Sequence, residues 1–195
     1  MLRNVVLLFF LFIQSFSQNQ YSEDGSRDGL WKGYYETGEL RYEGSFKEGK
    51  ETGVFKYYYK SGNLDKELLY IENGVRAKVR VYYSNKNIKT LGEYCLKNRC
   101  GTWDYFDDLG KIIIRENYKN GILNGPYFVF FDGVLNEICN YENGKKNGMS
   151  KIFFKTGQIK IIKSYLNDKL HGRYEFFNKK GEIVEILNYS NGFLD

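Results

Sequence analysis

Gly29-Leu30-Trp31-Lys32-Gly33-Tyr34-Tyr35-Glu36-Thr37-Gly38-Glu39-Leu40 and Gly101-Thr102-Trp103-Asp104-Tyr105-Phe106-Asp107-Asp108-Leu109-Gly110-Lys111-Ile112 are one pattern written twice. Working outward, glycine reopens the pattern at Gly53, Gly125, Gly148 and Gly172, with Ala77 in its place at the third start, so the spacings are 24, 24, 24, 24, 23 and 24. A fixed period of this kind marks a tandem array of one small supersecondary unit. With the opening residue as place one, place six is always aromatic: Tyr34, Tyr58, Tyr82, Phe106, Phe130, Phe153 and Phe177. Place three is large in Trp31, Phe55, Val79, Trp103, Tyr127 and Tyr174, and small only in Ser150.

Two further columns fix the secondary structure. An aliphatic column (Leu40, Leu64, Ile88, Ile112, Leu135, Ile159, Ile183) precedes a closing aromatic column (Phe46, Tyr70, Tyr94, Tyr118, Tyr141, Tyr165, Tyr189) by six residues. Six is even, so both columns share one side of an extended strand, whereas a helix would rotate them by about 600° and out of line. Glycine sits mid-unit at Gly38, Gly62, Gly110, Gly133, Gly157 and Gly181, and Asn-Gly pairs punctuate the units at Asn120-Gly121, Asn143-Gly144 and Asn191-Gly192, with Asn73-Gly74 slightly displaced. Both are hairpin-turn chemistry. The reading is all-β: an elongated, twisted antiparallel meander of about seven tandem 24-residue hairpins over residues 29–195, starting near 29, 53, 77, 101, 125, 148 and 172, after a short lead at 18–28. About fourteen strands follow, and an open sheet that long must twist. Unit three, with Ala77 and the turn Ser84-Asn85-Lys86-Asn87, is expected to bend or to form a looser hairpin.

Residues 1–17 are different in kind. Arg3, the nine-residue apolar run Val5 to Ile13 and Ser15-Phe16-Ser17 read as a secretory signal cleaved near Ser17-Gln18, for export to the periplasm, cell surface or beyond. Nine residues are too few to cross a bilayer of about 30 Å as a helix. Removing them takes away one charge, Arg3, so the net charge of +5 becomes +4. Lys alternates with Glu and Asp, as in Lys47-Glu48 and Lys66-Glu67, instead of gathering on a stripe. That pattern speaks for solvation and against a nucleic-acid reader.

The glycine, aromatic pair, glycine turn and closing Tyr-x-x-Gly of Gly29 to Leu40 and Gly101 to Ile112 resemble the bacterial variant of the MORN repeat, over residues 29–195. The resemblance implies an extended sheet of hairpins used as a binding or assembly platform. Many bacterial members carry the label YwqK-type antitoxin, and MORN repeats elsewhere dock proteins or associate with membranes. An antitoxin against a cytoplasmic toxin has no use for an export signal, although an envelope immunity protein would have one.

Catalytic constellations are missing from the sequence. Its one histidine, His171, reads as an exposed turn residue, which leaves no base for a nucleophilic triad. The glycines recur at hairpin spacing and form no phosphate loop. The acidic pairs Asp107-Asp108 and Glu23-Asp24 read as turn caps before they read as Ca²⁺ ligands, of which 6 to 8 would be needed. Cys95 and Cys100 flank four residues between units three and four and could pair in an oxidising compartment, while Cys139 reads as a small buried apolar residue. No metal, cofactor or enzymatic activity is expected. The rings allow two readings. Either they are the core, which is favoured for place six, or some of them, Trp31, Trp103 and the stripe Tyr35, Tyr59 and Tyr83, form a contact surface. The functional expectation is a non-enzymatic, exported scaffold that binds a protein partner. The alternatives are an antitoxin or immunity protein and a membrane-headgroup binder, and self-association through terminal strands is a further expectation.

Overall fold

The computed structural model describes residues 18–72 and 74–195, so the signal-peptide reading of residues 1–17 lies outside the described residues. The strands begin with β1 (Gln20–Tyr21), β2 (Arg27–Tyr34), β3 (Leu40–Lys47), β4 (Lys50–Tyr58), β5 (Leu64–Ile71) and β6 (Arg76–Tyr82). They continue with β7 (Ile88–Cys95), β8 (Asn98–Phe106), β9 (Ile112–Lys119), β10 (Ile122–Leu123), β11 (Gly125–Phe131) and β12 (Val134–Glu142). The last are β13 (Lys145–Lys146), β14 (Gly148–Phe153), β15 (Ile159–Leu166), β16 (Lys169–Phe177), β17 (Ile183–Ser190) and β18 (Phe193–Leu194). All 18 belong to one open antiparallel sheet. Four of them (β1, β10, β13, β18) are two-residue pieces, which leaves the fourteen strands that seven hairpins require.

Within each unit the place-six aromatic and the aliphatic column are partners across the hairpin: Tyr34 with Leu40, Tyr58 with Leu64, Tyr82 with Ile88, Phe106 with Ile112, and so on to Phe177 with Ile183. A register shift precedes this pair in every unit, so the bulge is part of the repeat. Its extra residue reverses parity in the second strand: Leu40, opposite Tyr34, and Phe46, opposite Gly29, lie on different faces, so the aliphatic and closing aromatic columns do not share one side as their even spacing predicts. Between units the opening glycine makes a second irregularity. Gly53, at φ 66, lies in the stretch looped out where the ladder steps from the Ser45–Thr52 pair to the Glu43–Lys56 pair.

Places one, three and five face one side of the sheet, and the core is there. Trp31, Phe55, Val79 and Trp103 are buried, as are Phe46, Ala77, Thr90, Cys139 and Ser150. The rings meet edge to face in a row, Tyr21 on Trp31 (5.0 Å), Trp31 on Phe46 (5.9 Å), Phe46 on Phe55 (5.1 Å) and Phe55 on Tyr70 (5.2 Å), and the row resumes with Tyr94, Trp103 and Tyr118. Such rings need backbone to lie against. Gly92 supplies it under Trp103, where an added Cβ would stand 2.3 Å from the indole. In unit six the row turns polar: fully buried Ser150 donates to Glu137 (3.1 Å), which also faces Lys163 (3.7 Å).

Two expectations are corrected here. Place six is not the core. It lies three residues from place three, an odd number, and so on the opposite face; none of its seven rings is fully buried and Tyr34 is 53% exposed. Nor is the unit-three hairpin loose. Tyr83 N–H donates to Asn87 O and Lys86 N–H to Tyr83 O, both at 2.9 Å, the same bonds that Tyr35 and Gly38 make in unit one. Lys86 takes the glycine's left-handed conformation (φ 71), and the Asn85 and Asn87 side-chain amides both donate to Asp108 O at 2.8 Å.

What Ala77 changes is the junction before it. The β5–β6 ladder runs from Ile71–Arg76 to Lys66–Val81 without a register shift. Among the described residues it is the one inter-unit junction with neither a bulge nor a broken strand. The two residues looped out elsewhere are here in the turn: four residues separate Ile71 from Arg76, where two separate Lys47 from Lys50. The downstream register is therefore preserved.

The lead at 18–28 closes the first edge. Asn19 N–H donates to Leu30 O, and its side-chain amide donates to Lys32 O (3.0 Å) and accepts from Lys32 N–H (2.7 Å), doing the work of a strand peptide. A Gly92→Ala substitution drives a methyl into Trp103 and is expected to cost about 2 kcal/mol, the scale of core overpacking. Urea unfolding followed by tryptophan fluorescence measures it, and an unchanged midpoint would refute the ring-on-backbone packing.

Candidate docking groove

Even places on the first strand of each hairpin, with their ladder partners on the second, form the face opposite the aromatic row, and on it lies a groove of ≈ 670 Å³ that crosses β4 to β8. It centres on the regular β5–β6 junction. Val54 and Leu69, partners across β4–β5 and 47% and 44% exposed, form the apolar floor together with Leu91 on β7. Six charged side chains line it: Lys56, Lys78 and Arg80 against Glu67, Glu93 and Asp104.

The two signs are not equivalent. Each carboxylate is already engaged: Glu93 by Arg76 (Nε 2.7 Å, Nη2 2.5 Å), Asp104 by Arg115 (2.6 and 2.9 Å), and Glu67 by the Tyr82 hydroxyl (2.8 Å). Lys56, Lys78 and Arg80 form no ion pair within 4.0 Å among the described residues. Lys78 stands opposite Glu93 in the ladder, but Arg76 holds that carboxylate. The groove therefore offers three cations without an ion pair beside an apolar floor, and Glu67, opposite both Lys56 and Arg80, is the one carboxylate there that no arginine holds.

Place-six tyrosines tie neighbouring units together on this face. Tyr58 donates to Glu43 of the preceding unit (2.7 Å) as Tyr82 does to Glu67. Desolvation first, and then the bond to Glu43, push the Tyr58 hydroxyl up to about 12, and the same causes raise Tyr82. A hydroxyl whose proton is held more tightly in the folded state contributes its full share below the unfolded value of 10.0, and that share is lost as pH rises through the folded value. Stability is thus expected to fall between pH 10 and about 12, and less steeply in Tyr58→Phe, as read by urea unfolding across that range.

The stripe Tyr35, Tyr59 and Tyr83 forms straps between units. Tyr35 Oη donates to Tyr58 O (2.7 Å) and Tyr83 Oη to Phe106 O (2.8 Å), and Tyr59 makes a longer 3.5 Å approach to Tyr82 O. Trp31 and Trp103, 7% and 2% exposed, offer no free ring, and their indole N–H groups are taken by Gln20 O and Asp28 O and by Glu93 O. The groove thus holds none of the five rings read from the sequence as contact candidates. Its own signal was weaker: apolar and charged residues at even places (Val54, Lys56, Lys78, Arg80), with Leu69 opposite Val54, around a unit that breaks the pattern.

Cys95 and Cys100 are joined (Cα–Cα 5.8 Å) on the groove's face, with Cys100 opposite Glu93. They bracket Leu96-Lys97, a turn with both residues at positive φ (50° and 68°) and without the Asn, Asp or Gly that serves the other inter-unit turns. Glu93, Cys95 and Cys100 also form the one grouping of His, Cys, Asp or Glu ligand atoms close enough to share an ion among the described residues, but its sulfurs are bonded to each other. Asp107 caps its own turn, accepting from Leu109 N–H and Lys111 N–H, and Asp24 is held by Ser22 and Ser26. His171 is exposed on β16, and its Nδ1 accepts a long 3.4 Å bond from Asn191 N–H. Cys139 is buried, and burial pushes its thiol up.

Replacing Tyr35, Tyr59 and Tyr83 together by Phe keeps the rings and removes the straps. The expected loss is about 1 kcal/mol for each hydrogen bond removed. An unchanged urea midpoint would return the stripe to the role of a free surface.

Residues 27–48, 51–72, 146–167 and 170–191 each match the family model described as MORN repeat variant. These are units one, two, six and seven. No curated protein matches the chain in sequence. Among solved structures, a mutant of S. aureus TarM crystallised with fondaparinux, alpha-GlcNAc-glycerol and UDP is 10% identical over 55% of this chain (TM-score 0.30), and TarM itself is 11% identical over 61% (TM-score 0.32). This chain spans 19% of the length of each, and likeness at that level carries no inference about activity.

Proposed function

We propose that this chain, which belongs to the MORN repeat variant family, is an exported, non-enzymatic scaffold that binds a protein partner in the groove across β4 to β8. MORN repeats are generally protein- and membrane-binding scaffold modules. The observation that carries the reading is the groove, where exposed Val54 and Leu69 lie beside cations that form no ion pair within 4.0 Å among the described residues. A recessed apolar floor with a few convergent polar groups is the usual form of a binding site. Export is supported by the signal-like text of residues 1–17 and by the Cys95–Cys100 bond, which suits an oxidising compartment.

A photo-crosslinking amino acid placed at Leu69 in the full chain, in its native cells, is expected to yield an adduct of one discrete mass, and the same group at Leu109, exposed on a turn outside the groove, none. Equal labelling from both positions, or none from Leu69, would defeat the groove assignment. Intact-mass analysis of the same material is expected to show a chain beginning at Gln18 outside the cytoplasm, and a full-length cytoplasmic species would end the export reading.

A further inference from the structure

Lys56, Lys78 and Arg80 share one face of the sheet with the floor residues, and strand pairing sets them in two rows that run across the strands. One row reads Val54, Leu69, Lys78, Glu93 and the next reads Lys56, Glu67, Arg80, Leu91, Asp104, each residue opposite the next in the ladder. Five strands at about 4.8 Å spacing give the groove a length of about 19 Å, the reach of about six residues of extended chain. Glu93, Asp104 and Glu67 are held by Arg76, Arg115 and Tyr82, none of which lines the groove. With Arg76 and Arg115 set against Glu93 and Asp104, three cations face the single remaining carboxylate, Glu67, whose charge the neutral Tyr82 hydroxyl does not cancel, and the balance is positive.

We infer, resting on the scaffold reading above, that the occupant of this groove is an acidic polypeptide segment, about six residues of extended chain that alternates carboxylate and aliphatic side chains. Laid across β4 to β8 along the two rows, such a segment sets aliphatic side chains near Val54, Leu69 and Leu91 and carboxylates near Lys56, Lys78 and Arg80. Burying apolar area on the floor supplies affinity, and the three cations supply register and selection against basic segments. A single-stranded nucleic acid would need free rings to stack on, and the rings near the groove, Tyr58 and Tyr82, are tied to Glu43 and Glu67.

The test uses the full exported chain with its disulfide intact and three fluorescein-labelled peptides, Glu-Leu-Glu-Val-Glu-Leu and its counterparts with Lys or Ser in place of Glu, followed by fluorescence anisotropy. The acidic peptide is expected to bind in preference to both others and to weaken as salt rises from about 50 to about 500 mM. Charge reversal by Lys78→Glu with Arg80→Glu is expected to reduce its affinity at least about tenfold and to favour the basic peptide instead. The milder Lys78→Gln with Arg80→Gln gives a smaller loss in a protein whose circular dichroism and melting are unchanged. Lys160→Glu, outside the groove, serves as the control for net charge and is expected to leave binding as it was.

Equal binding of the acidic and basic peptides, or a loss with Lys160→Glu as large as with the groove variants, would overturn the inference by showing bulk attraction only. Binding by none of the peptides, with Leu69 still crosslinking one discrete protein, overturns the acidic chemistry and leaves the scaffold reading standing. If Leu69 crosslinks nothing, the scaffold reading itself falls.

Discussion

A single layer of β-sheet has no second layer to bury its apolar side chains, so this chain must bury them within one of its own faces. It does so by laying rings such as Phe55 and Trp103 over glycine backbone of the preceding strand and closing the gap with the edge of a neighbouring ring, as Phe55 does between Phe46 and Tyr70. Burying a ring in this way is worth about 1.5–3 kcal/mol, and an edge-to-face pair adds about 0.5–1.5 kcal/mol. These contacts run within a unit, as between Phe55 and Tyr70, and across the junction, as between Phe46 and Phe55, so stability is a property of adjacent hairpins and not of any hairpin alone. The glycines follow from the same constraint. Gly44 and Gly92 leave room for the rings of Phe55 and Trp103, and an opening glycine such as Gly53 accepts the bulge that brings the next ring into place.

Because the place-three and closing rings are committed to one face, the other is available. It is held by lighter interactions: Lys32 with Glu43, Arg115 with Asp104, and the Tyr58 and Tyr82 hydroxyls on carboxylates of the unit before. Exposed pairs of this kind contribute about 0–1 kcal/mol each, so this face can vary without loss of the fold. The groove lies where the repeat itself changes. Ala77 has no left-handed φ, the β5–β6 ladder loses its bulge, and the two displaced residues go into the turn between Ile71 and Arg76. Bulges bend and twist a strand, and a regular ladder between bulged ones gives the sheet a different local course at the point where Val54, Leu69 and Leu91 are open.

The mid-unit turn shows how one position serves two ends. In units one to three, place seven is tyrosine and its hydroxyl reaches the next unit; in units four and seven it is Asp107 or Asn178, whose side chain accepts from backbone N–H groups of its own turn. The strapped half and the self-capped half have the same backbone hydrogen bonds, from Gly38 N–H to Tyr35 O and from Gly110 N–H to Asp107 O. Side chains at this position thus set how firmly one turn is coupled to the next, while the turn geometry stays the same.

Strand identity, hairpin number and turn positions were legible in the sequence, because a period of 24 and an alternation of two are local properties of the chain. The pairing of Tyr58 with Leu64 or Phe106 with Ile112 was not, because it follows a bulge. The choice between core and surface was only half legible. Parity alone separates place three from place six, yet both are aromatic, and composition pointed to the wrong one. The straps of Tyr35 and Tyr83 and the groove could not be read in this way. A strap depends on a carbonyl 23 residues away, and the groove depends on which cations remain unpaired after Arg76 and Arg115 have chosen their carboxylates. The sequence by itself determined the hairpins, since their signals lie within one unit. Only the tertiary structure decided which face is buried and which charges stay free, because both depend on contacts between units.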